Sequence, residues 1–111
     1  MKTKVLMDTD VLIDYLKGYA GAELFVENER REFFISTINI AELFAGIKNQ
    51  KEVVVINEFL TAFKPISITK EIAENAGLLR KQFYNSHNIG LADALIAACA
   101  QSIDAVLITL R

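Results

Sequence analysis

Three short stretches of this chain, Lys4–Met7, Phe33–Ser36 and Ala105–Thr109, are apolar almost throughout and do not alternate with polar residues. A strand with one wet face alternates. A strand covered on both faces does not, and such strands belong mainly to parallel sheets held between helices. The segments between them carry the helical period instead. Val11, Leu12, Tyr15 and Leu16 repeat at helical spacing, with Asp10 placed as the N-cap and Gly18 as the stop. Ala22–Asn28 reads as a further short helix. Ile40, Leu43, Phe44 and Ile47 form an i, i+3, i+4, i+7 stripe on a helix capped by Ser36 or Thr37.

Val53–Ala62 continues as helix and breaks before Pro65. Phe63–Ile68 is the third strand in chain order, with Pro65 favouring a sheet edge. Thr69 caps a long helix with Ile72, Ala76, Leu79 and Phe83 on one face. Asn85–Gly90 reads as a loop, Leu91–Ala100 as a central helix and Ala105–Thr109 as the fourth strand. Strands alternating with helices predict an α/β fold with a mainly parallel sheet, whose sites form outside the carboxyl ends of the strands. At 111 residues and 52% apolar composition, the expectation is a single domain over 1–111 with a substantial core.

Three carboxylates interrupt this apolar pattern: Asp8 after the first strand, Glu42 in INIAELFAG, and Asp93 in NIGLADALIAACA. Carboxylates are costly to desolvate, so their recurrence in such settings needs a reason. Asp8 also suits a helix start, and Asp93 is a first-turn carboxylate favoured by the helix dipole. Glu42 lies away from the Ile40/Leu43/Phe44/Ile47 stripe, yet its own-face neighbours are Ile38, Ala45 and Gly46, not the charges of a wet surface. That helix is expected to be covered on both sides, with Glu42 pointing into a cleft. Brought together, the three acids would need a cation; magnesium or manganese, which prefer oxygen ligands, are the candidates, and phosphodiester chemistry is their usual work.

The remaining inventory excludes other classes. With His87 as the single histidine and Cys99 as the single cysteine, there is no zinc cluster, catalytic triad or internal disulfide. His87 reads as a loop residue and Cys99 as a small buried hydrophobe. The scattered glycines form no phosphate-cradling loop. No apolar run is long enough for a membrane span or signal peptide, so the expected location is the cytoplasm. A net charge of −2 argues against a broad basic surface, although Lys48, Lys51, Arg80 and Lys81 are candidates for a local track beside the acids. The D-x-D of Asp8 and Asp10 and the later VLIT stretch bear a weak likeness to haloacid-dehalogenase-type phosphatases, whose further lysine and acidic pair have no counterpart after Thr109.

At MDTDVLIDYL, INIAELFAG, GLADALIAACA and AVLIT, in that order, the whole chain resembles the PIN domain, specifically the toxin ribonucleases of VapBC-type toxin–antitoxin pairs. The resemblance implies a three-layer α/β/α sandwich and a metal-dependent endoribonuclease that cuts tRNA or other structured RNA. Asp8, Glu42 and Asp93 would be the catalytic residues and hold one or two Mg2+ or Mn2+ ions, with Thr9 and Ser36 or Thr37 orienting them. It also implies a homodimer silenced by a cognate antitoxin. The family usually continues past the fourth strand with T-x-N or T-x-D; here Thr109 matches but Arg111 stands at the Asn/Asp position, so a C-terminal acidic segment is expected to be missing. That departure raises a second expectation, a catalytically silent PIN-like module that binds an antitoxin or RNA.

Overall fold

The computed structural model of the chain describes residues 2–18, 30–87 and 89–109, the side chains of 84–87 excepted. The elements are β1 (Thr3–Met7), α1 (Thr9–Leu16), β2 (Arg31–Ser36), α2 (Thr37–Ala45), α3 (Gln50–Leu60), β3 (Lys64–Ile66), α4 (Lys70–His87), α5 (Leu91–Ser102) and β4 (Val106–Ile108). The strands form one sheet in the order β3-β2-β1-β4, and every pairing is parallel.

The uniformly apolar strands are explained by where successive side chains go. Val5 and Met7 of β1, with Phe33 and Ile35 of β2, enter a cluster with Val11, Leu12, Leu43, Ile56 and Phe63. The intervening Leu6 and Phe34 point to the opposite face, where Ile72, Ala76, Ala94, Ile96, Ala98 and Cys99 wait. Helices α1, α2 and α3 therefore cover one face, and α4 and α5 the other, giving the expected three layers. Val5, Leu6 and Met7 are each 1% exposed or less. At about 25 cal/mol per Å2 of apolar surface removed from water, each such side chain contributes about 1.5–3 kcal/mol.

Pro65 sits on β3 at the sheet edge, as its missing N–H requires, opposite Ile35. Beside it Lys64 is ion-paired with Glu32 of β2, and that hydrogen bond holds the Glu32 carboxyl below its ordinary pKa. Thr69 caps α4, its hydroxyl accepting from the Ile72 N–H at 3.1 Å. Ser36, not Thr37, caps α2, and Thr37 is exposed.

Some boundaries differ from the sequence expectation. Helix α4 runs through to His87, so Asn85–His87 belongs to a helix and only the residues before α5 remain a connection. Helix α3 begins at Gln50, three residues before the first apolar position of its pattern, because Asn49 caps it with its side chain on the Glu52 N–H. Ile47 lies beyond the end of α2 yet still packs on the first cluster. The Ala22–Asn28 helix expectation lies outside the described residues. No described helix is long and apolar enough to cross a membrane.

Two features of α5 generate predictions. It ends with Asp104 in the left-handed region, φ 57°, where the Ala105 N–H reaches back to the Ala100 carbonyl at 2.9 Å. That turn favours glycine because a Cβ is crowded there. Asp104→Gly is expected to stabilise the fold by up to about 1 kcal/mol, read as a higher urea midpoint with unchanged slope. Cys99 is fully enclosed, and burial pushes its thiol pKa up. Iodoacetamide should therefore label native Cys99 far more slowly than urea-unfolded Cys99, checked by mass spectrometry.

Candidate active site

Asp8 directly follows strand β1, and the backbone places this residue firmly. Its N–H donates to the Ile108 carbonyl of β4 at 3.0 Å, extending the parallel pairing by one bond. Its carboxylate Oδ1 accepts from the Val11 N–H at 3.1 Å, making Asp8 the N-cap of α1. The cap expected at Asp10 is thus two residues earlier. An extended φ/ψ of −73°/168° at Asp8 lets its side chain fold over the first turn, whereas Asp10 is already helical and exposed. A single residue both terminates the strand and starts the helix, so its carboxylate has little freedom to wander.

Glu42 reaches the same region from α2. Ile38, one turn earlier on the same helix face, packs against the cluster under α5, so Glu42 is directed toward the beginning of α5. The expectation that α2 is covered on both sides holds at Ile38 but not further on, where Ala45 and Gly46 are exposed. Asp93 stands in the first turn of α5, where the Gly90 N-cap offers no side-chain bond to the helix. Asp8, Glu42 and Asp93, with Thr9, Asp10 and Ile96, line one small cleft of about 60 Å3 at the carboxyl edge of the sheet. Asp8 is half-buried, while Glu42 and Asp93 are exposed toward it.

The three predicted acids therefore share a cleft, but they do not form a closed cage. Among the described residues, no group of three or more His, Cys, Asp or Glu side chains is placed to hold a metal ion as it stands. The donor set nevertheless suits a hard divalent cation, because the polar groups on the rim are carboxylates and a hydroxyl, all oxygen. None of the described residues lining this cleft is basic. Lys48, Lys51, Arg80 and Lys81, expected as a basic track, are not among the described residues that line this cleft.

Two residues around the cleft were not found from sequence. Asp10, assigned there to capping, instead lines the cleft. Asn39 is wholly buried and hydrogen-bonds Thr9, which in turn donates to Glu42 at 2.6 Å. The available signal was an Asn three residues after Ser36, the spacing of a reciprocal capping box, which the structure contains. A larger apolar hollow of about 300 Å3 lies between α1, α2 and α3, lined by Leu16, Leu43, Ile47 and Ile56, with Glu42 on its border.

Fold and cleft together define a three-layer α/β/α protein with an acidic, oxygen-lined cleft at the carboxyl edge of a parallel sheet. The PIN domain pattern matches residues 5–110, and the chain belongs to the PIN domain family. Ribonuclease VapC10 of Mycobacterium tuberculosis is 37% identical over 110 residues, spanning 96% of this chain and 82% of that protein. Ribonuclease VapC19 of the same organism is 35% identical over 108 residues, spanning 94% and 86%. A solved toxin–antitoxin complex from Klebsiella pneumoniae has a TM-score of 0.84 at 32% identity, over 96% of this chain and 86% of its counterpart. This family assignment displaces the haloacid-dehalogenase likeness of the D-x-D.

The double duty of Asp8 separates two substitutions. Asp8→Asn retains a capping oxygen and is expected to leave stability nearly unchanged, whereas Asp8→Ala is expected to cost about 1 kcal/mol. Equilibrium urea unfolding of both variants checks this.

Proposed function

We propose that this protein is a divalent-metal-dependent endoribonuclease, the toxin of a type II toxin–antitoxin pair. The observation that carries the proposal is the shared cleft of Asp8, Glu42 and Asp93 at the sheet's carboxyl edge in a PIN domain chain. Its similarity to two proteins named ribonucleases, and to a chain of a toxin–antitoxin complex, supports the same reading. The substrate is tRNA or another structured RNA, the setting the cytoplasm, and the functional unit a single domain that dimerises and is held silent by a cognate antitoxin.

In this reading Asp8, Glu42 and Asp93 hold Mg2+ or Mn2+. When bound, such an ion supplies charge neutralisation at the scissile phosphate and lowers the pKa of the attacking water. The chain's own residues do the positioning. Asp8 is fixed by its backbone bond to Ile108 and by its cap on α1; Thr9 fixes one oxygen of Glu42; the first turn of α5 presents Asp93. No side-chain nucleophile is required, and the Thr9 hydroxyl is already committed to Glu42. Asp8, Asp10, Glu42 and Asp93 make the described rim acidic, so a bound cation would offset their charge toward a polyanionic RNA.

Cleavage of a mixed tRNA pool by the purified chain, with MnCl2 or with EDTA, tests the proposal. Manganese-dependent cutting is expected, and Asp8→Asn, Glu42→Gln and Asp93→Asn should each reduce it by a factor of about 100 or more with the circular dichroism spectrum unchanged. Cutting that survives EDTA and all three substitutions would remove these acids from the chemistry. RNA or antitoxin binding without any cutting would instead establish a silent binding module.

A further inference from the structure

A buried chain of hydrogen bonds with a fixed direction ends on Glu42. The Ser36 backbone N–H can only donate, and it donates to Asn39 Oδ1 at 3.0 Å. The Ser36 hydroxyl donates to the same oxygen at 2.8 Å and accepts from the Asn39 N–H at 3.1 Å. With Oδ1 held toward Ser36, Asn39 Nδ2 must face the other way, and an amide nitrogen is a donor only. It meets Thr9 Oγ1 at 3.0 Å. The Thr9 hydroxyl has one proton; having accepted from Asn39, it sends that proton to Glu42 Oε1, 2.6 Å away.

Burial makes this direction hard to reverse. Ser36 and Asn39 are 0% exposed and Thr9 9%, so water does not compete for these positions. A flipped Asn39 amide would set Nδ2 against the Ser36 N–H, donor against donor, and would leave Thr9 without its donor, each a buried unsatisfied group. The polarity set by one backbone N–H at the end of β2 is thus carried across α2 and α1 to a carboxylate on the cleft rim. Glu42 is a long, exposed side chain that would otherwise sample many rotamers.

We infer that Asn39 and Thr9 are positioning residues that clamp Glu42 Oε1 and so fix the direction in which Glu42 presents its carboxylate to a divalent cation; this rests on the metal-dependent reading above. The clamp gives Glu42 a fixed direction as a ligand, and it commits Thr9 as a donor that is not free to act as base or nucleophile. Partners of this kind, behind a ligand, commonly change metal affinity by a factor of about 10 to 100 when removed.

The test is calorimetric titration of MnCl2 into the full chain and into Thr9→Val, Thr9→Ser and Asn39→Asp, with melting temperatures taken in metal-free buffer. Thr9→Val deletes the hydroxyl at nearly constant volume and should raise the Mn2+ dissociation constant about tenfold or more. Thr9→Ser should restore most of the affinity. Asn39→Asp keeps both acceptor bonds to Ser36 but replaces the donor facing Thr9 by an acceptor, so it should weaken Mn2+ while the α2 cap survives. A Thr9→Val protein that melts lower yet binds Mn2+ as the parent does would make the chain a structural cap only and overturn the clamp. Should Asn39→Asp fail to fold, the valine and serine variants decide by themselves. A parent that binds no Mn2+ overturns the metal reading and the clamp with it, an outcome separate from a clamp that fails in variants of a binding parent.

Discussion

Everything in this molecule is arranged around the two-sided burial of β1. Val5 and Met7 face one layer of helices and Leu6 the other, and all three are removed from water. A strand covered in this way must have partners on both edges and helices on both faces, which β2, β4 and the two helical layers supply. Only its carboxyl end is left for polar groups. Asp8 occupies that end because the next backbone N–H still pairs with β4 while the side chain can already turn outward to cap α1. The acidic cleft is therefore a by-product of how the most buried strand stops.

This also explains what could be read from sequence. Runs such as KVLM and FFIS cannot be stable as half-wet strands, so the parallel sheet, the three layers and the carboxyl-end location of Asp8 followed from hydrophobicity alone. Pro65 marked an edge by lacking a donor. The three acids stood out because each interrupts an apolar neighbourhood. Helix starts were harder to read where two capping residues competed: Asp8 and Asp10 both suit the role, and only the extended backbone at Asp8 decides between them. The run of α4 to His87 was misjudged because Asn85 and Ser86 look like loop residues, a local preference that the helix overrides.

Asn39 illustrates a different limit. Its pairing with Ser36 is local and leaves a mark in the sequence, an acceptor three residues after a capping serine. Its pairing with Thr9 is 30 residues away and leaves none. Whether an Asn stabilises a helix end or orients a distant carboxylate depends on which element packs alongside, and a polar residue in an amphipathic stretch gives no sign of that. The acids have the same character: their common cleft is legible from topology, whereas the bond from Thr9 that holds Glu42 is made between two helices and leaves no local mark.

The sheet order carries a consequence for how the protein comes into being. Its most buried strand pairs with β4, the described strand farthest from it along the chain, through Val5 with Val106 and Met7 with Ile108. Such contacts close late, because a long loop must be ordered before they form. On the ribosome, β1 emerges first and waits for β4, so the bond from Asp8 to Ile108 is absent until that last described strand has been made. A nascent chain thus carries Asp8 and Glu42 well before it carries their cleft, and the order of synthesis itself delays the assembly of the site.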